Sequence, residues 1–183
     1  MLIRIIPVGN PPQKILETIK ASLPDIFNSE VRMMPALDVP QDSYNHWRKQ
    51  YNAEKIIDIL SKEKAAKFID RSIPSLFIID QDIYYDGLNF VFGVEDPIHS
   101  SAIISLTRLK PEFYGKGVNL LVLSDRAVKE AVHEIGHHLG LGHCRHPFCV
   151  MAFSPSVEDV DNKQRYFCRD CKVRAATRGI SLE

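Results

Sequence analysis

The sequence predicts an α/β (α+β) domain in which a mixed β-sheet carries packed helices. Three observations predict it. Short apolar runs alternate with runs of helical period, in the order strand, helix, strand, helix, then three strands. One short run, Leu76-Phe77-Ile78-Ile79, is apolar at every position, as a central strand covered on both faces must be. The 183 residues, 45% hydrophobic and 25% charged, are enough for one compact core. A single domain spanning 1–183 is therefore expected, without internal repeats or linkers.

Residues 2–7 read as a buried strand. Asn10-Pro11-Pro12 breaks the chain and opens a helix with Ile15, Leu16, Ile19 and Leu23 on one face, and Pro24 is expected to limit it. Residues 31–37 read as a second strand, and 41–51 carry no clear period. Residues 53–67 have helical spacing at Ile56, Ile57, Ile59, Leu60 and Ala65. After the central run, Tyr84-Tyr85-Asp86-Gly87 reads as a turn. Residues 90–94 read as a strand closed by Glu95-Asp96-Pro97, and 101–106 as a further strand. Residues 111–117 form a loop. Ser124-Asp125 is expected to cap a helix running to about Leu139, which Gly140 stops. Ser154-Pro155-Ser156 then starts a last helix within 157–178, with Glu158 and Asp159 in its first turn.

Formal net charge is zero, which argues against a broadly basic nucleic-acid surface. Arg169, Lys172, Arg174 and Arg178 read as a solvated helix face. No run approaches the length of a membrane span. The apolar start of the chain is short, is interrupted by Arg4, and lacks a small-residue cleavage site, so it does not read as a secretory signal. No nucleic-acid or membrane partner is expected. The expected location is cytoplasmic, a reducing compartment in which clustered cysteines more often hold metal than form disulfides.

The stretch 131–171 holds two metal-type constellations. In the first, His133-Glu134-Ile135-Gly136-His137 puts two imidazoles one helical turn apart, on one face. Val128, Val132, Ile135 and Leu139 fall on the other. Gly140 lets the chain leave the helix in a left-handed conformation, so that His143 can return as a third ligand. Three protein ligands leave a fourth position for water, whose pKa zinc lowers to about 7. Glu134, beside the ligand face, is the candidate catalytic residue: it would take the proton of a metal-bound water and pass it to a leaving amine. Met151, eight residues on, reads alone as core filler. His138 reads as a surface or capping residue, Glu130 as a solvated charge with the orienting of a ligand as its alternative, His146 as a bystander within reach of either site, and Tyr166 as a packing tyrosine that is at best a weak electrophile candidate.

The second constellation is Cys144-x4-Cys149 with Cys168-x2-Cys171, two pairs that suit tetrahedral thiolate zinc. Such a site has no open position and reads as structural. Two disulfides, free thiols, a redox Cys168-x-x-Cys171 pair and an iron–sulfur cluster compete for the same residues.

The run from His133 to His143, with Gly140 and Met151, resembles the metzincin clan of zinc metallopeptidases, and the added cysteines are similar to its archaemetzincin family. Leu88-Asn89-Phe90-Val91-Phe92-Gly93, Ser105-Leu106-Thr107-Arg108-Leu109-Lys110 and Pro111-Glu112-Phe113-Tyr114-Gly115 share the resemblance. It implies a metzincin-like fold: a twisted mixed sheet with two packed helices above a cleft, and a small helical C-terminal part with a Met-turn. The upper part would be 1–143 and the lower part 144–183. It implies His133, His137 and His143 on a catalytic zinc, Glu134 as base and acid, Met151 beneath the zinc, and Cys144, Cys149, Cys168 and Cys171 on a second zinc. It implies a peptidase acting on peptides or small proteins, with aminopeptidase action in some relatives. The edge strand at 90–94 would bind substrate in extended form. No propeptide is expected. The competing expectation is a zinc-stabilised module that binds peptide without cutting it; Glu134 favours the enzyme, since a purely structural site has no use for that acid.

Overall fold

The computed structural model of the chain describes residues 1–66 and 73–183. Its main sheet has five strands: β1 (Leu2–Val8), β2 (Glu30–Met33), β5 (Ser75–Ile79), β7 (Gly93–Asp96) and β8 (Ser101–Ser105). They lie in the order β2-β1-β5-β8-β7, parallel except for β7, which pairs antiparallel with β8 and forms one edge. A second, small sheet joins β3 (Tyr44–Asn45), β4 (Gln50–Asn52) and β6 (Ile83–Tyr84). Its strands fall in 41–52, where the sequence shows no clear period, and at Ile83–Tyr84, where Tyr84 reads as the start of a turn; each is only two or three residues long.

The helices divide between the two faces of the main sheet. α1 (Gln13–Phe27) and α3 (Leu120–His138) share one core with Ile3, Ile5, Leu76, Ile78 and Ile104. α2 (Ala53–Ala66) packs Ala53, Ile56, Ile57 and Leu60 on the opposite face, against Ile6, Phe77, Ile79 and Ile103. The expected end of that helix at Lys67, and the side chain of Ala65, lie outside the described residues. Every residue of β5 and of β8 is buried, as the continuous apolar run at 76–79 requires.

Several boundaries differ from expectation. Pro24 lies inside α1 rather than ending it; the helix continues because Ile26 and Phe27 are buried, and it stops at Asn28 in a left-handed conformation. The second strand ends at Met33. The edge strand is Gly93–Asp96, not 90–94, because the Val91 N–H donates to the Ile83 carbonyl of β6 (3.2 Å) while Phe90 and Phe92 pack ring against ring. α3 begins at Leu120, with Asn119 as its cap accepting from the Leu121 and Val122 N–H groups, so Ser124 and Asp125 lie within it. The C-terminal region holds two helices in place of one, α4 (Val157–Asn162) and α5 (Arg169–Ala176). Ser156 caps α4 in a capping box with Asp159, and Cys168 stands at the N-cap of α5.

Candidate metal centre and active cleft

α3 carries the first constellation under the β7 edge of the sheet. The three predicted histidines come together, one ring nitrogen of each lying within 4.8 Å of the others. His133 is buried, His137 partly buried, and His143 exposed beyond the helix end. Gly140 has φ 79°, and its N–H returns to the His137 carbonyl at 2.8 Å, so the chain turns back as the sequence suggests. Arg178 locks this turn by donating from Nη1 to the Gly140 carbonyl. The arginine read as part of a solvated face is thus tied to the end of α3.

The tautomers follow from the acceptors. His133 Nδ1 faces the Val150 carbonyl and His137 Nδ1 faces the Leu141 carbonyl, each at 2.8 Å. A carbonyl only accepts, so each Nδ1 must carry the proton. Both Nε2 atoms then present lone pairs, and they stand 3.0 Å apart. Two lone pairs at that distance repel unless a cation lies between them, so the donor set fits a metal ion. Burial pushes the pKa of all three imidazoles down, helped at His133 by the nearby Lys163 charge, which keeps them in the neutral, ligating form.

Beneath the rings, Cys149-Val150-Met151-Ala152 makes a tight turn, closed by the Ala152 N–H on the Cys149 carbonyl (2.9 Å). Met151 is fully buried. A Cβ at Gly136, between the two helical histidines, would collide with the Met151 sulfur. The thioether thus packs directly under α3, and reading Met151 as filler misses what it supports.

Glu134 is buried beside the histidines, and no hydrogen bond or ion pair ties its carboxylate to the described residues. Burial and the neighbouring Glu130 hold its carboxyl well above the usual range. Glu130 is not a solvated charge: its Oε1 lies 2.8 Å from Nζ of the fully buried Lys163. A cleft of about 770 Å³ opens in front of these groups. β7 and the segment before it wall one side, α3 another, and His143, Phe153 and Lys163 help line the rest. The Phe153 ring stands 5.0 Å from that of His143.

The four cysteines also converge, with Cys144 and Cys168 sulfurs 3.7 Å apart and Cys149 and Cys171 sulfurs 3.7 Å apart. All four sulfurs are unbonded in the structure and close enough together to share one ion. Burial pushes the Cys149 and Cys171 thiols up, and neighbouring sulfurs push the same way. A divalent cation is what would let four crowded sulfurs ionise together.

The remaining candidates do not join either site. Tyr166 lines a groove against α1, away from the cleft. His146 is exposed, and its Nδ1 accepts from the Phe148 N–H. His138 packs 3.6 Å from Glu95 of β7. Lys163 and Glu95 line the cleft without having been singled out as site residues, because no local pattern marks them.

Comparison with known proteins agrees with this geometry. The family model described as Peptidase family M54 matches residues 13–176. The curated archaemetzincin of Methanocaldococcus jannaschii is 42% identical over 182 residues, covering 100% of this chain and 97% of its own. That of Pyrococcus abyssi is 39% identical over 178 residues, 93% of this chain and 92% of its own. The crystal structure of archaemetzincin from Archaeoglobus fulgidus complexed with malonate superposes with a TM-score of 0.80 at 40% identity, covering 95% of this chain and 99% of that one. A zinc-dependent peptidase from Methanocorpusculum labreanum superposes with a TM-score of 0.86 at 31% identity, covering 94% and 99%. Among the described residues no helix is long and apolar enough to cross a membrane. The mixed sheet, the histidine cluster beneath its edge and these relatives agree, and the chain belongs to the archaemetzincins, peptidase family M54, as a zinc metallopeptidase.

Proposed function

We propose that His133, His137 and His143 hold the catalytic zinc and that Glu134 is the general base and acid of peptide-bond hydrolysis. The observation that carries this reading is the facing pair of unprotonated Nε2 atoms on α3, 3.0 Å apart, with the free Glu134 carboxylate one residue along the helix from His133. When bound, the zinc supplies a Lewis acid that polarises the scissile carbonyl and makes water a nucleophile near neutral pH. Glu134 takes the proton of the attacking water and delivers it to the leaving amine. The Val150 and Leu141 carbonyls orient the His133 and His137 rings and raise their basicity. Met151 fixes the floor beneath them.

Cys144, Cys149, Cys168 and Cys171 hold a second, structural zinc, giving two zinc ions per chain. That site anchors the segment on which His143 and Met151 depend: the Cys144 N–H donates to the Met151 carbonyl at 2.8 Å. The boundary between an upper part, 1–143, and a lower part, 144–183, falls at this junction. Free thiols of this kind suit a reducing, cytoplasmic setting. Substrate enters extended along the free edge of β7, as an added strand, and release of N-terminal residues suits the charges in the cleft.

The test is digestion of a peptide library by the zinc-loaded protein beside Glu134→Ala. Cleavage by the native chain that is lost in the variant supports the reading, and cleavage near the N-terminus supports aminopeptidase action. Binding without cleavage in both removes it.

A further inference from the structure

The cleft holds a carboxylate that neither the metal site nor the base accounts for. Four acids stand on its walls or on β7. Glu130 is matched by Lys163 at 2.8 Å. Asp96 is occupied by the Ile98 N–H (2.8 Å), the His99 N–H (3.3 Å) and the His99 ring (2.8 Å). Glu134 is assigned to proton transfer. Glu95 is left, lining the cleft with a side chain only 13% exposed. Among the described residues no lysine or arginine pairs with it, and His138 Nδ1 stands 3.6 Å away, beyond hydrogen-bond length. A half-buried carboxylate that faces the cleft with no lysine or arginine on it is placed to take a cation from a substrate.

Strand geometry sets its place. Gly93 and Glu95 are two residues apart on β7 and share one face of the sheet. Gly93 touches the base: a Cβ there would sit 2.7 Å from Glu134 Cγ and Oε1. Glu95 follows about 7 Å along the strand, beside His138 in the last turn of α3. A peptide laid antiparallel on β7 runs toward its own N-terminus as β7 runs from Gly93 to Asp96. The Glu95 carboxylate therefore meets that peptide upstream of the bond next to Glu134.

We propose that Glu95 is the substrate-ammonium subsite of this cleft, binding a primary amine on the N-terminal side of the scissile bond and so selecting peptides with a free N-terminus. This rests on the reading of the histidines and Glu134 as the catalytic centre. Capping the amine removes both the charge and the donors. A charge-assisted hydrogen bond of this kind supports a preference of about 10–100-fold.

The test uses zinc-loaded protein and one peptide sequence in three forms: free N-terminus, N-acetylated, and N-acetylated with lysine just before the cleaved bond. The native protein should favour the free form over the acetylated one by about 10–100-fold in kcat/KM, carried by KM. Glu95→Gln should bring that ratio near one, and Glu95→Asp should restore part of it. Rescue by the lysine peptide in the native chain but not in Glu95→Gln supports the same subsite with a side-chain ammonium as its source. A native ratio near one for both amines, or a ratio unchanged in Glu95→Gln, overturns the proposal. Calorimetric binding of the free and acetylated peptides to Glu134→Gln, with and without Glu95→Gln, reads the subsite apart from turnover. If the native protein cuts nothing yet binds the free form more tightly through Glu95, the subsite stands and the catalytic reading falls. Cleavage without an ammonium preference removes the subsite alone.

Discussion

Lys163 Nζ lies 2.8 Å from Glu130 Oε1, with the lysine side chain fully buried and the glutamate 4% exposed. The pair joins the residue after α4 to α3, one turn before His133. Asp161 and Arg165 flank it, Asp161 taking both ends of the Arg126 guanidinium at 2.7 Å and Arg165 reaching Asp125 at 2.6 Å. The segment behind the Met151 turn is thus held on α3 by alternating charges. Removing one partner strands the other in a dry site. Lys163→Met should destabilise the zinc-loaded protein by about 3–5 kcal/mol in urea unfolding, and adding Glu130→Leu should recover most of the loss.

The cysteine cluster makes a separate prediction. Cys171→Ser should lower bound zinc by about one ion per chain and lower the unfolding midpoint, since metal bound only by the folded chain adds to its stability. Metal analysis and thermal melts before and after chelation check it. An unchanged metal content would remove the second site.

Gly136 and Met151 give a packing prediction. Gly136→Ala forces a methyl group into the Met151 sulfur, with Phe167 Cε1 a further 3.2 Å neighbour. Overpacking there should cost about 1–3 kcal/mol. Because Gly136 adjoins His137, zinc should also be held more weakly, which competition with a chromogenic chelator would measure.

The histidine cluster is legible in the sequence because its members are local: one helical turn separates His133 from His137, and one glycine turn separates them from His143. The cysteine pairs are legible for the same reason. Lys163, Glu95 and Arg178 are not: the first two reach the cleft, and Arg178 the turn at Gly140, through tertiary contacts that leave no period behind. The sheet shows the same divide. Residues 76–79 announce a central strand by composition, whereas the start of β7 depends on where the Val91 N–H finds an acceptor, and that is the Ile83 carbonyl. The first turn of α3 escapes notice because Leu120 and Leu121 are exposed and carry no apolar stripe.

Asp125 gives a pH prediction. Burial would raise its pKa, but hydrogen bonds from Lys129 and Arg165 outweigh burial and hold it below the ordinary value. The folded chain thus binds this proton less readily than the unfolded chain. Its stabilising contribution is complete above the unfolded carboxylate pKa of about 3.9 and is lost as pH falls through the lower folded value. Asp125→Asn should flatten the acid limb of a stability–pH curve while leaving its slope above pH 6 unchanged.

Peptide hydrolysis and zinc content, measured together in the native chain and Glu134→Gln, test the role of Glu134 most directly. The amide keeps the size of the side chain and removes its ability to take a proton. Turnover should fall by about 10²–10⁴-fold with zinc content unchanged. Equal turnover in the variant would contradict the assignment of Glu134 as base, and a loss of zinc would show that its carboxylate belongs to the metal site.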